Sequence, residues 1–99
     1  MVKVLLSSQA EDDIKKGIDF YENMDINLGS YFFNSIMSDI ESLKIYKGIH
    51  IKINEYYRML SKKFPFAIYY KIEDENIKVY AILDCRQNPK KIKKRLKSE

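Results

Sequence analysis

The sequence predicts an α+β domain in which a helical hairpin packs on one face of an antiparallel sheet. Apolar residues recur at spacings of three and four through the first half of the chain, and after Gly48 the spacing changes to two. Pro89 then opens a short basic segment with helical spacing. The predicted order is an N-terminal strand, a helical hairpin, a three-strand antiparallel meander and a short basic C-terminal helix.

Length and composition indicate a single domain that spans residues 1–99. Hydrophobic residues at 45% and charged residues at 32% are typical of a folded, soluble protein, which excludes a disordered chain. No run approaches the roughly 20 apolar residues of a membrane span, and the N-terminus lacks the pattern of a signal peptide. A single cysteine forms no internal disulfide, so we expect a cytoplasmic protein without membrane contact.

The first half predicts a strand and two helices. The apolar run "VKVLL" favours a buried strand, and Ser8 with Glu11 matches a capping box that opens the first helix. Asn27 is the expected N-cap of the second helix, and Gly48 suits its left-handed end. The first helix has an apolar face of Ala10, Ile14, Ile18 and Tyr21, and the second has Phe32, Phe33, Ile36, Met37, Ile40 and Leu43.

The second half predicts the sheet. Its runs "IHIKI", "EYYRMLSK", "FAIYYKI" and "IKVYAILD" are rich in β-branched and aromatic residues. The turn residues "EDEN" between the last two runs indicate a hairpin, and Pro65 belongs at a strand start because it donates no hydrogen bond to a ladder. Both faces of "YAILD" are apolar, which predicts a central, covered strand.

Charge is divided unevenly along the chain. Residues 1–49 hold five Lys/Arg and eight Asp/Glu, a net charge of −3, whereas residues 50–99 hold thirteen and six, a net charge of +7. The basic residues gather after the last strand. This pattern favours a polyanion or an acidic protein partner over a merely solvated tail. The candidate binding residues are Lys90, Lys91, Lys93, Lys94 and Arg95.

The stretch "RMLSKKFPFAIYYKIEDENIKVYAILDCRQNP", with its predicted strands and turns in this order, resembles the RelE/ParE superfamily of toxins from bacterial type II toxin–antitoxin systems. The resemblance covers about residues 2–95. It implies a protein that inhibits growth, can stabilise plasmids, and is neutralised by a cognate antitoxin. RelE-like members cut mRNA on the ribosome, whereas ParE-like members poison DNA gyrase. A toxin-like module that has lost toxicity and only binds an antitoxin is a third alternative.

The resemblance also implies which residues would act in a RelE-like nuclease. Arg86 matches an arginine at the end of the last strand, Arg58 matches one on a preceding strand, and Lys52 lies near the position of further basic residues. Arginine suits this chemistry because its planar fork binds two phosphate oxygens. Strand alternation would allow Lys52 and Arg58 to face the same surface.

One departure from the nuclease pattern favours ParE-like action on gyrase. Nuclease-type members place a tyrosine or histidine a few residues after the arginine, and "RQNPKKIKKRL" has neither. His50 and Glu55 are weaker candidates for proton transfer. Cys85 lacks a histidine motif and is expected to be an ordinary strand residue. One Cys and one His form no recognisable metal site, and no cofactor is predicted.

Overall fold

The computed structural model describes residues 1–97, in which five strands and three helices form one α+β unit. Their bounds are β1 (Val4–Leu6), α1 (Ser8–Met24), α2 (Leu28–Tyr46), β2 (Ile51–Ile53), β3 (Tyr56–Leu60), β4 (Phe66–Glu73), β5 (Asn76–Asp84) and α3 (Pro89–Leu96). The predicted fold class is confirmed. The meander has four strands instead of three, because a tight turn at Asn54, with φ of 58°, separates β2 from β3.

The five strands form one sheet in the order β1-β5-β4-β3-β2. β1 runs parallel to β5, and every other neighbouring pair is antiparallel. β5 is therefore an interior strand, as the apolar run "YAILD" predicted. The turn in "EDEN" is also confirmed, since Glu73 pairs with Asn76 and Asp74 has a positive φ of 60°. Pro65 directly precedes β4.

The main core lies between the helical hairpin and one face of the sheet. Its fully buried side chains include Phe32, Ile36, Tyr70 and Val79. The two helices approach closely at Gly17, which has no side chain. A Cβ added there would lie only 2.4 Å from the Phe32 ring.

The predicted apolar face of α2 included one residue too many, namely Phe33. Phe33 is 41% exposed, whereas the neighbouring Phe32 is fully buried. Because adjacent helical positions differ by about 100° around the axis, only one of the two rings can face the core.

The start of α1 differs from the prediction by one residue. The N-cap is Ser7, not Ser8, and the Ser7 hydroxyl oxygen accepts the Ala10 N–H at 3.0 Å. Ser7 is fixed there because its N–H donates to the Val79 carbonyl and its hydroxyl donates to the Tyr80 carbonyl. Pairing of β1 with β5 thus sets where the helix begins.

The ends of α2 also follow tertiary contacts. Asn27 is the N-cap as predicted, but its side chain makes no capping bond. The Glu22 carboxylate accepts the N–H groups of Asn27 and Gly29 instead. Gly48 takes the predicted left-handed conformation after α2, with φ of 88°, and its N–H donates to the Tyr70 hydroxyl at 3.0 Å.

The opposite face of the sheet carries a smaller core beneath α3. Tyr56, Tyr69 and Leu83 are buried there against Leu96. Ile92 also packs against this cluster, so the predicted apolar side of α3 faces the sheet. The residues that matter for function lie around this helix and the adjoining strand ends.

Candidate functional site

The basic helix α3 is held at its start by local sequence. The Asn88 side chain caps the helix by accepting the Lys90 N–H at 2.9 Å, and Pro89 occupies the first turn, where its missing N–H costs nothing. Ile92 and Leu96 turn towards the sheet, which leaves Lys90, Lys91, Lys93 and Lys94 exposed. These four predicted binding residues therefore form a cationic surface on α3.

Arg95, the fifth predicted binding residue, forms an ion pair with another residue of the protein. Its guanidinium donates to both carboxylate oxygens of Asp13 on α1, each at 2.9 Å. The same Asp13 carboxylate accepts the backbone N–H of Ile82 at 3.0 Å, at the part of β5 that β1 does not reach. This arrangement, which we call the Asp13–Arg95 lock, joins α3 to α1 and β5. The hydrogen bonds to Asp13 raise the pKa of Arg95.

Arg86 lies just after β5 and is fixed by an acid two residues before it. Its Nε and Nη2 atoms donate to the Asp84 carboxylate at 3.0 and 2.8 Å, and its backbone N–H donates to the same group at 2.8 Å. These hydrogen bonds lower the pKa of Asp84 and raise that of Arg86. The guanidinium is solvent-exposed, but two of its nitrogen atoms are already bonded to the Asp84 carboxylate.

Arg58 lies on the α3 face of the sheet. It pairs across the ladders with Ile51 and Tyr69, and the three side chains share that face. The Arg58 Nε atom is buried and has no hydrogen-bond partner among the described residues. Arg58 also lies near Cys85, whose pKa is raised chiefly by burial and is lowered in part by Arg58 and Arg86. Arg86, in contrast, lies beside Tyr21 of α1, which belongs to the core on the hairpin side of the sheet.

The expectation that Lys52 shares a face with Arg58 is wrong. Lys52 pairs with Tyr57, whereas Arg58 pairs with Ile51, so the register places Lys52 and Arg58 on opposite faces. The Lys52 Nζ atom lies 5.0 Å from the centre of the Tyr57 ring, on the side of the helical hairpin.

Groups that could transfer a proton are also dispersed. His50 contacts the Tyr70 hydroxyl through Nδ1 on the hairpin side of the sheet, and burial lowers its pKa. Glu55 forms an ion pair with Lys71 at 3.3 Å. Cys85 is an exposed residue of the turn after β5 and not the strand residue that was expected; partial burial raises the pKa of its thiol, which favours the protonated form.

The surroundings of Arg86 thus offer positive charge without an available base. The nearest carboxylate, Asp84, already accepts three hydrogen bonds from Arg86, and its pKa is lowered. A general base needs a pKa near the working pH and a free lone pair towards the substrate. The arrangement is suited to anion binding and poorly suited to acid–base catalysis.

The fold defined by these elements is also found in a solved structure from a toxin–antitoxin system. That structure, described as "Chromosomal ParDE TA system from P. aeruginosa", shares it with a TM-score of 0.71. The two chains are 15% identical, and the similarity covers 83% of this chain and 94% of that chain. No protein-family model matches this chain, and no curated protein matches it.

Two further observations apply to residues 1–97. None of their helices combines the length and apolar character needed to cross a membrane. Within the same range, no three His, Cys, Asp or Glu side chains lie together where they could hold a metal ion.

Proposed function

We propose that this protein is the toxin of a type II toxin–antitoxin pair and that it inhibits growth by a ParE-like action on DNA gyrase. The observation that carries the proposal is the fold shared with the ParDE structure. Fold alone does not choose between the two known activities of such toxins, so the choice depends on the site residues.

The site residues favour the ParE-like activity over mRNA cleavage. Cleavage without a metal needs a base for the attacking 2′-hydroxyl and cations at the phosphate. Arg58 and Arg86 could supply the cations, but Lys52 lies on the other face of the sheet and Arg86 is bound to Asp84. Residues 87–97 contain no tyrosine or histidine. A toxin that binds a large protein target requires none of these groups.

The proposed partners are the antitoxin and, when the antitoxin is absent, gyrase. The outer edge of β2 leaves backbone groups unpaired in the sheet, and Ile51 of this strand has an exposed side chain. Such an edge accepts an added strand, and the lysines of α3 favour an acidic partner segment. We expect the antitoxin gene to abut or overlap this one.

Controlled induction in a bacterial host, with and without the adjacent reading frame, tests the proposal. Growth should stop only when the chain is induced alone, and primer extension should find mRNA without new cuts. New cuts that disappear in Arg86→Ala would contradict the proposal in favour of the nuclease. Normal growth after induction alone would leave only the non-toxic, antitoxin-binding alternative.

A further inference from the structure

A cleft of about 570 Å³ opens between α3, the start of α1 and the sheet. Cleft volumes of roughly 300–1,000 Å³ are typical of sites for small molecules. We call this feature the α3 cleft. Its lining contains two tyrosines, two glutamines and four cationic side chains, namely Tyr56, Tyr80, Gln9, Gln87, Lys91, Lys94, Arg95 and Lys97.

The lining of the α3 cleft is positively charged and holds no carboxylate. Arg95 is neutralised by the lock, since both of its donating nitrogens are bound to Asp13. Lys91 and Lys94 form no ion pair with any residue of the described range 1–97. They lie one helical turn apart, so both ammonium groups can approach one anion.

A β-bulge turns an aromatic side chain into the same cleft. Tyr69 pairs with Ala81 and Tyr70 pairs with Val79, so Tyr80 is the extra residue on β5. Bulges commonly redirect a side chain beside a functional site. The Tyr80 ring meets the Tyr56 ring edge-to-face, with their centres 5.3 Å apart.

Further cations surround this tyrosine pair. The Lys71 Nζ atom lies 4.9 Å from the Tyr56 ring centre and 5.4 Å from that of Tyr80, and the Lys78 Nζ atom also lies 5.4 Å from Tyr80. Lys71 and Lys78 do not line the cleft itself, whose aromatic surface comes from Tyr56 and Tyr80 and whose free ammonium groups include those of Lys91 and Lys94. Aromatic side chains recognise nucleobases, and lysines bind phosphates as point charges.

Acidic side chains limit the cleft on the sheet side. Glu55 pairs with Lys71 at 3.3 Å, and the Glu73 carboxylate accepts the Tyr80 hydroxyl at 3.3 Å. A nucleic-acid strand that continued across the sheet would pass these carboxylates and be repelled by them. The limited size of the cleft and these acids favour a single nucleotide over a longer strand.

We propose that the α3 cleft binds a free nucleoside phosphate, with its base against Tyr80 and its phosphates between Lys91 and Lys94. Gln9 and Gln87 supply amide donors and acceptors for the base or the sugar. This site goes beyond the proposed toxin activity and does not depend on it. It uses neither Arg58 nor Arg86.

Calorimetric titration of the purified chain with ATP, AMP, inorganic triphosphate and a single-stranded decanucleotide tests the site. ATP should bind, and Lys91→Gln/Lys94→Gln should weaken binding by about tenfold or more, because each lost charge-assisted contact contributes about a factor of ten. Lys90→Gln/Lys93→Gln removes the same charge from α3 outside the cleft, and it should change ATP affinity by less than about twofold.

Variants of Tyr80 test how much its ring contributes to ATP affinity. Tyr80→Phe should keep ATP binding, whereas Tyr80→Leu should weaken it by about fivefold or more, in line with the loss of a base–aromatic contact. Inorganic triphosphate should bind more weakly than ATP and be insensitive to Tyr80→Leu.

Four results would overturn the proposal. These are no binding of ATP or AMP, equal loss of affinity in the two double-lysine variants, equal affinity for ATP and inorganic triphosphate, and binding of the decanucleotide alone. Circular dichroism of each variant should match that of the wild-type chain.

Discussion

Removal of the Asp13 carboxylate should strongly destabilise the fold, although Asp13 lies far from β5 and α3 in the sequence. Asp13→Ala deletes three acceptor contacts, two to Arg95 and one to the Ile82 N–H. A buried N–H left without a partner costs about 1–3 kcal/mol. The Arg95 side chain is 35% exposed and can return to water, so its lost contacts add only about 1 kcal/mol.

The expected loss is therefore about 2–4 kcal/mol in the free energy of unfolding. This corresponds to a fall in Tm of about 10–20 °C for a chain of this size. Urea denaturation and thermal melting measure both quantities. Asp12→Ala is the matched control, because Asp12 is exposed on the same helical turn, and it should change stability by less than about 0.5 kcal/mol.

Hydrogen exchange separates this local effect from general loss of stability. The Ile82 amide and the amides of α3 should exchange faster in Asp13→Ala under conditions where the hairpin core remains protected. This role of Asp13 would be contradicted if Asp13→Ala and Asp12→Ala unfold at the same urea concentration, or if the Ile82 amide keeps its protection in Asp13→Ala.

Three further predictions concern the hairpin side of the sheet. Gly17→Ala should destabilise the protein by about 1–3 kcal/mol in urea denaturation, because the new methyl group meets the buried Phe32 ring. This loss should exceed the gain from the better helix propensity of alanine. Equal or greater stability of the variant would contradict this. Tyr70→Phe leaves the Gly48 N–H without its hydroxyl acceptor and should cost about 1–2 kcal/mol in thermal melting, and an unchanged Tm would show that water replaces the hydroxyl. Burial lowers the pKa of His50 below its ordinary value of 6.5, so the unfolded chain binds the proton more readily and unfolding free energy should fall as the pH drops below about 6.5. In His50→Gln, the free energy of unfolding measured by denaturation should depend less on pH in this range. An identical pH dependence in the variant would show that other groups cause it.

Features encoded by a few neighbouring residues were predictable from the sequence. The left-handed Gly48, the turn in "EDEN" and the Pro89 helix start each depend on local backbone preferences. The Asp84–Arg86 contact was missed, although an acid two residues before an arginine at a strand end is a visible signal.

Features that depend on register or distant pairing were not predictable in this way. The choice between Ser7 and Ser8 as the N-cap follows from how β1 pairs with β5. The opposite faces of Lys52 and Arg58 follow from the length of the turn at Asn54, since one residue more or less reverses the faces. The Asp13–Arg95 lock joins positions 82 residues apart, which no local pattern reveals.

The most direct test of the central claim is a supercoiling assay with purified DNA gyrase and increasing amounts of the purified chain. Supercoiling should be inhibited at micromolar concentrations of the chain and restored by the cognate antitoxin. Cellular mRNA should also stay intact after induction of either the wild-type chain or Arg86→Ala, because neither form is a nuclease. Unchanged supercoiling at the same concentrations, together with arrested growth and cut mRNA in cells, would contradict the central claim.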